Sequence, residues 1–204
     1  MKTIYPVSIV TAPTVEPITS AEAQAHLHIE DGDPDLTAIA NIYIPAAREF
    51  IEQETGRAFI TRTVEWAFDQ FPDYGCLLVL KMATPLVSIA SVKYKDSAGS
   101  ETTWPSSNFI AGTRSLPGHL APAYGVQWPV FVPYPVSPIV IRGEVGAAAN
   151  EIPVRAKQAM LLLVGALFAN REAESADRSN MAMLVPQVAG LQALIDKLKV
   201  EYPF

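Results

Sequence analysis

The stretch GRAFITRTVEWAFD, residues 56–69, holds the point where the hydrophobic pattern of the chain changes its period. In its second half the large apolar side chains of Val64, Trp66 and Phe68 alternate with a second set that includes the polar Thr63, Glu65 and Asp69. That spacing places the three apolar side chains on one face of a β-strand. Gly56 suits the left-handed residue that often follows a helix. The stretch therefore predicts a helix end followed by a half-buried strand.

Two helices are predicted before this point. Residues Thr19 to Glu22 have the spacing of a capping box, which predicts a helix from Ser20 to Leu27. Asp33 suits the N-cap of a second, longer helix, and Pro34 suits its first position because the missing amide donor is not needed there. This helix should run to the glycine that opens the quoted stretch. Pro45 is expected to kink it.

After the quoted stretch the chain is predicted to be rich in strands. The sequence from Asp96 to Gly99 suits a hairpin turn between two of them. The alternation slips within the strand before that turn, which predicts a β-bulge near Ala90 or Ser91. The predicted strands are Leu77–Met82, Leu86–Lys95, Glu101–Trp104 and Ile139–Val145.

A proline-rich segment, Gly112 to Pro138, interrupts the strands. Because proline lacks an amide donor, the segment is expected to form a loop or an edge excursion and to exclude a central strand. Its aromatic residues Trp128, Phe131 and Tyr134 either cover the sheet or meet a partner, since aromatic side chains are enriched at interface hot spots.

The C-terminal part is predicted to be helical again. A nearly all-apolar helix begins at Pro153, a polar loop covers residues 170–180, and an amphipathic stripe starts at Val188. This stripe either packs on the core or docks on a neighbour. The predicted partner interface comprises Trp128, Phe131, Tyr134, Leu191, Leu194, Leu198, Tyr202 and Phe204.

These elements predict an α+β fold in which the N- and C-terminal helices form a small bundle and the middle of the chain forms a β-rich insertion. Residues 1–58 form the N-terminal helical part, residues 59–147 the insertion with its proline-rich loop 112–138, and residues 148–204 the C-terminal helices.

Composition narrows the function classes. The chain has 204 residues, 50% of them hydrophobic, and a formal charge of -6 with scattered cations. A protein that grips DNA needs clustered cations, so DNA is expected only as passing cargo. The single Cys76 forms no internal disulfide, and no signal peptide is recognised at the N-terminus, so synthesis in a reducing cytoplasm is expected. The longest apolar stretch, residues 159–169, is too short to cross a membrane.

No catalytic, cofactor-binding or metal-binding residue is predicted. An EF-hand interpretation of the acidic residues fails because Leu36 and Ile42 occupy the positions that require Gly and Glu. The three histidines are expected to point apart, and no nucleophile motif occurs. A distant alternative is a metal-dependent hydrolase that uses Glu30, Asp31, Asp33 and Asp35.

Several segments, taken in order, resemble the gp6-like head-tail connector family of bacteriophages, and within it the phiE125 gp8-like branch. The resemblance covers about Thr19 to Glu174. The chain departs from the family in its proline-rich loop and in the extension that begins at Val188. The matching segments are Thr19–Leu27, Ala46–Glu52, Thr55–Ala58, Pro85–Tyr94 with Asp96 and Gly99, and Ile152–Pro153 through Lys157–Ala159 to Asn170–Glu172.

The resemblance implies a non-enzymatic adaptor of a tailed phage or prophage. It implies a homo-oligomeric ring between portal and tail, expected to be a dodecamer in the virion and a monomer in isolation. The implied partners are the portal protein and tail or head-completion proteins, with no membrane. The implied location is the head-tail junction, after synthesis in the host cytoplasm. The alternative is a tail-completion or other virion interface protein.

Overall fold

The computed structural model describes residues 7–72, 76–169 and 190–201. The chain divides into a helical unit, Thr14–Ile60 with Ala148–Lys199, and a β unit, Met1–Pro13 with Thr61–Ala147 and Val200–Phe204. The α+β prediction is confirmed. The helices are α1 Ser20–Leu27, α2 Leu36–Ala38, a π turn Ile39–Tyr43, α3 Ile44–Thr55, α4 Val154–Ala169 and α5 Leu191–Asp196. The strands are β1 Val7–Thr11, β2 Arg62–Phe68, β3 Leu78–Val79, β4 Leu86–Lys95, β5 Glu101–Trp104, β6 Phe109–Gly112, β7 His119–Pro122 and β8 Ile139–Val145.

Helix α1 begins as the sequence predicts. The Glu22 amide donates to the Thr19 hydroxyl over 3.1 Å, and the Thr19 amide donates to the Glu22 carboxylate over 2.7 Å. Both halves of the capping box are therefore formed.

The second helix begins later than predicted, at Leu36. The Asp33 carboxylate accepts the Asp35 amide over 2.8 Å, which folds Pro34 and Asp35 into a turn before the helix. The bulk of the helix is as predicted, and Gly56 caps α3 with φ of 69°. Pro45 lies in the first turn of α3, directly after the π turn, where its missing donor disturbs the regular hydrogen-bond pattern.

Helix α4 is the central element of the helical unit. Ala156, Ala159, Met160, Leu163 and Val164 are buried in it. They pack in one apolar cluster with residues of the π turn, α3 and α5. This confirms the sequence prediction of a core helix. The predicted loop 170–180 and the start of the last stripe at Val188 lie outside the described residues.

The larger sheet of the β unit has five strands in the order β1-β2-β8-β4-β5. Strand β2 alternates strictly between buried and half-buried residues, with Val64, Trp66 and Phe68 facing the core. The register of β4 on β8 shifts between Ile89 and Ser91, where the bulge was predicted. A Cβ on Gly143 of β8 would lie 2.7 Å from the Ser88 carbonyl oxygen, so glycine allows the strands to approach there.

A second sheet has three strands in the order β3-β7-β6. Its central strand, β7, lies inside the proline-rich segment, so the prediction that this segment excludes a central strand is wrong. Proline occurs only at the last residue of β7, Pro122, and the residues before it keep their amide donors for pairing. The strand predicted over Leu77–Met82 is shortened to Leu78–Val79.

Candidate assembly surface

An aromatic cluster underlies the proline-rich segment. The Trp128 ring stacks on Phe71 with 5.0 Å between centroids and lies 5.4 Å from Trp104. The centroids of the Phe131 and Tyr94 rings lie 4.8 Å apart. The Trp128 indole nitrogen donates to the Cys76 carbonyl over 3.3 Å, which satisfies the polar group of a buried ring. These ring contacts therefore hold the proline-rich segment in place.

Backbone hydrogen bonds also hold the proline-rich segment in place. The Tyr134 amide donates to the Lys95 carbonyl over 3.1 Å, and the Ser97 amide donates to the Val132 carbonyl over 2.9 Å. The Ser137 amide donates to the Asp69 carboxylate over 3.3 Å. Prolines within the segment restrict φ further. These contacts hold the segment in a defined conformation.

The outer side of this segment is apolar and exposed. Val130 is 97% exposed, Val132 70%, Val136 71% and Tyr134 41%. We call these four residues the apolar ridge. Exposed apolar patches of this kind mark interaction sites. The Lys95 ammonium lies 5.1 Å from the centre of the Tyr134 ring and holds it by a cation–π contact.

The stretch of sequence that holds the ridge lacks acidic residues, lysine and arginine. From Ser115 to Ile141 the sequence contains no Asp, Glu, Lys or Arg. Depletion of charge is typical of the core of a protein–protein interface. Phosphate groups need cations, so this stretch is unsuited to nucleic acid.

The residues predicted for a partner interface fall into three groups. Trp128 is 7% exposed and Phe131 half-buried, both within the aromatic cluster, whereas Tyr134 is exposed on the ridge. In the C-terminal stripe, Leu191 and Leu198 belong to the helical core, and Leu194 is partly buried against it. Tyr202 and Phe204 lie outside the described residues. A partner at these positions stays a prediction.

Sequence reasoning missed the other residues of this surface. It did not single out Phe71 or Tyr94 as partners of the loop aromatics, nor the ridge valines. The valines carried a signal, because Val130, Val132 and Val136 stand among prolines at even spacing. An extended backbone places Val130 and Val132 on one side, but the bend at Pro135 and Val136 ends this alternation before Val136.

The ridge borders a groove that offers little for catalysis. Of the described residues that line it, Asp69 is the only acidic one, and the others are aromatic, proline, valine or glutamine. The described residues of this groove supply neither an acid–base pair nor a nucleophile for catalysis.

Two of the four acidic residues of the hydrolase alternative, Asp31 and Asp33, have local structural roles. Asp31 accepts the Gln24 side-chain amide over 2.7 Å, and Asp33 accepts the Asp35 backbone amide. In the ranges 7–72, 76–169 and 190–201, no three His, Cys, Asp or Glu side chains gather closely enough to hold a metal ion. Across those same ranges, every helix is too short or too polar to cross a bilayer.

The helical unit contains a buried ionic cluster. Arg48 donates to Glu16 over 2.8 Å and to Glu52 over 3.1 Å. Glu52 also accepts the Phe59 amide over 2.8 Å. Burial works against the charge of Arg48, but the hydrogen bonds and charges of Glu16 and Glu52 outweigh it and raise the Arg48 pKa. The cluster is fully paired, and this favours a structural role over a catalytic one.

Comparisons with known proteins give a fold likeness over nearly the whole chain. No family model and no curated protein matches. A solved neck of an empty GTA particle, computed with C6 symmetry, contains a chain with a TM-score of 0.75 and 23% identity, covering 98% of this chain and 97% of that one. A chain in the virion of a native gene transfer agent (GTA) particle has a TM-score of 0.73 and 24% identity, covering 97% of each. A chain in the neck of a native GTA particle, computed with C12 symmetry, has a TM-score of 0.71 and 22% identity, covering 98% of this chain and 97% of that one. This chain shares their fold.

Proposed function

We propose that this protein is a structural subunit of the neck of a phage-like particle, where it forms a ring between portal and tail as a head-completion adaptor. The observation that carries the proposal is the fold likeness to subunits of GTA necks, which extends over 98% of this chain. A likeness over a whole chain includes both units, so the proposal does not depend on one common motif.

The surface chemistry supports a structural role. Backbone hydrogen bonds hold the ridge at Val132 and Tyr134, which should lower the entropy lost on docking. The net charge of -6 suits a wall past which DNA slides, because an acidic surface does not hold phosphates.

Mixing the purified chain with the portal protein of the same particle tests the proposal. Native mass spectrometry should give a complex with twelve copies of the chain, by analogy with the C12 neck. A complex with isolated tails in place of the portal would favour the tail-completion alternative. Absence of both complexes would contradict a role at the neck.

A further inference from the structure

The groove beside the ridge combines aromatic walls with a carboxylate. Phe71, Trp128 and Phe131 line it together with Asp69, and we call it the Asp69 groove. Asp69 is exposed and accepts the Ser137 backbone amide, but no cation in the described part of the chain forms an ion pair with it. A cationic side chain is attracted both by aromatic rings and by a carboxylate. The groove is therefore suited to a cation from outside.

The other polar groups of the groove favour arginine over lysine. The side chains of Gln70 and Gln127 also line it, and each has a carbonyl oxygen that can accept a hydrogen bond. The guanidinium group of arginine has five donors in one plane and stacks on aromatic rings, whereas the lysine ammonium is a compact point charge. A guanidinium can therefore contact the carboxylate, an amide oxygen and a ring at the same time.

The turn between β6 and β7 presents an arginine of this kind. Arg114 is exposed, and within residues 7–72, 76–169 and 190–201 its side chain forms no ion pair or hydrogen bond. From Thr102 to Ile141 it is the only Asp, Glu, Lys or Arg in the sequence, so the neighbouring chain offers no carboxylate. Leu116, two residues further on, is 59% exposed. The turn thus offers a cation beside apolar surface.

The other described cations of the β unit are paired, covered or bound to a ring. They are Arg62, Lys81, Lys93, Lys95 and Arg142. Lys93 and Arg142 pair with carboxylates, and Lys95 lies against an aromatic ring. Arg62 is buried and Lys81 is half-buried. Within the described part of this unit, Arg114 is therefore the exposed cation that lacks a partner.

Side chains hold the turn in a defined conformation. The Ser115 hydroxyl donates to the Gly112 carbonyl over 2.9 Å, and its oxygen lies 2.7 Å from Nδ1 of His119. A Cβ on Gly112 would overlap the His119 ring, so glycine allows the ring to lie against the backbone. Holding the turn in this way lowers the entropy that Arg114 loses on docking.

The turn and the Asp69 groove lie at opposite ends of strand β7. His119 pairs with Gly112 at the end beside the turn, and Pro122 pairs with Phe109 at the other end. There the Phe109 ring lies 5.7 Å from Trp104 of the aromatic cluster, measured between centroids. The four residues of β7 span about 13 Å. A contact between turn and groove therefore joins two copies.

We infer that Arg114 of one copy binds in the Asp69 groove of the next copy, and that repetition of this contact closes the ring. The inference rests on the proposed function, which requires a ring. A cyclic ring is built by head-to-tail contacts between two unlike sites of each subunit. A cation and a carboxylate without internal partners, at opposite ends of one strand, meet this requirement. Leu116 packs against the apolar wall of the groove, at Pro129 and Val130.

Charge reversal tests this contact on the portal. Arg114→Glu and Asp69→Arg should each raise the concentration of chain that fills the ring by about tenfold or more, because each brings like charges together. Native mass spectrometry counts the copies on the portal, and circular dichroism shows that the variants fold. Arg155→Glu and Glu201→Arg are the matched controls at exposed positions, and both should load as the wild-type chain does.

A mixture of the two variants gives a sharper result. Each variant repels its own kind, but its changed site complements the changed site of the other. An equal mixture of Arg114→Glu and Asp69→Arg chains should therefore fill the ring by alternation. Half of the twelve positions expected by analogy with the C12 neck should then hold each variant. A chain that carries both changes should also recover, since its two reversed charges attract each other across the contact.

The outcomes separate the inference from the proposed function. Full loading by both single variants would overturn the inference and leave the proposed function standing, as would losses that neither the mixture nor the double variant restores. A loss for Asp69→Arg alone would show that the groove takes a cation of another protein, and a loss for Arg114→Glu alone would place Arg114 at another site. Either result would overturn the contact between copies. Failure of the wild-type chain to load the portal would overturn both proposals.

Discussion

The two units differ in how completely they cover their own apolar residues. In the helical unit the apolar side chains converge on α4 in one cluster. Its exposed large apolar residues within the described ranges are few and far apart in sequence: Val15, Ile42 and Val154. The β unit exposes many more, and several of them lie together on the ridge and on β1. The difference teaches that the helical unit covers its own apolar residues, whereas the β unit leaves exposed apolar surface of the kind that marks interaction sites.

The polar contacts repeat this contrast. The Arg48 side chain is 6% exposed and bound by carboxylates within the helical unit. On the β unit, Arg142 pairs with Glu65 but is 47% exposed. Buried pairs are costly to break, whereas exposed pairs contribute little.

The largest effect is expected for Trp66→Ala in the β unit. Trp66 is 0% exposed, and its indole nitrogen donates to the Lys81 carbonyl over 2.7 Å. Removing the ring leaves a cavity and should lower the free energy of unfolding by about 4 kcal/mol. Urea unfolding followed by circular dichroism measures this. Val87→Ala, at an exposed position on β4, should change the value by less than about 0.5 kcal/mol. Equal effects of the two changes would refute the assigned core.

The next effect is expected for Arg48→Ala. The change removes the Arg48 guanidinium from the buried Glu52 carboxylate, which should cost about 3 kcal/mol of unfolding free energy. Arg142→Ala is the matched control, and it should cost less than about 1 kcal/mol because its pair is exposed. The same urea titration compares them. A cost for Arg142→Ala as large as that for Arg48→Ala would remove the distinction between the two pairs.

A smaller effect is expected at the start of α1. Donation from the Thr19 amide, supported by Lys157, keeps the pKa of Glu22 below its ordinary value of 4.5. Because the pKa is lower in the folded state, Glu22 stabilises the fold above that value, and the contribution disappears as pH falls through the folded-state pKa. Glu22→Gln should lower the free energy of unfolding by about 0.5 kcal/mol near neutral pH. Melting curves of both proteins should converge as pH falls through the folded-state pKa of Glu22, and a constant difference at every pH would contradict the explanation.

The smallest effect on stability is expected for Val132→Ser. The side chain is 70% exposed, so the free energy of unfolding should change by less than about 0.5 kcal/mol. The variant should nevertheless impair assembly on the portal. A loss of more than 1 kcal/mol or so in the urea titration would mean that the ridge belongs to the core of the unit.

Local patterns in the sequence predicted the local features well. The capping box at Thr19 and the bulge between Ile89 and Ser91 depend on neighbouring residues alone, and both were predicted. Strand β2 was predicted because one of its faces is buried, which imposes alternation on Val64 and Trp66.

Features without a local pattern were missed. Strand β1 has no buried face, so no alternation marks it, although its β-branched residues gave a weak signal. Strand β7 was excluded because prolines were counted over the whole segment, whereas only their positions relative to the ladder decide pairing.

The aromatic cluster shows a third limit. Trp128 was recognised as important from its residue type, but its partner Phe71 is distant in sequence. A single sequence carries no pairing information at that separation. The choice between covering the sheet and meeting a partner was therefore open until the contacts were known.

The most direct measurement of the central claim is cryo-electron microscopy of the particles that the host produces, with the gene intact and with it deleted. The account predicts a ring between portal and tail in intact particles into which this chain fits. It predicts that particles from the deletion lack this ring and carry no tails. Tailed particles with an unchanged neck after deletion would contradict the account.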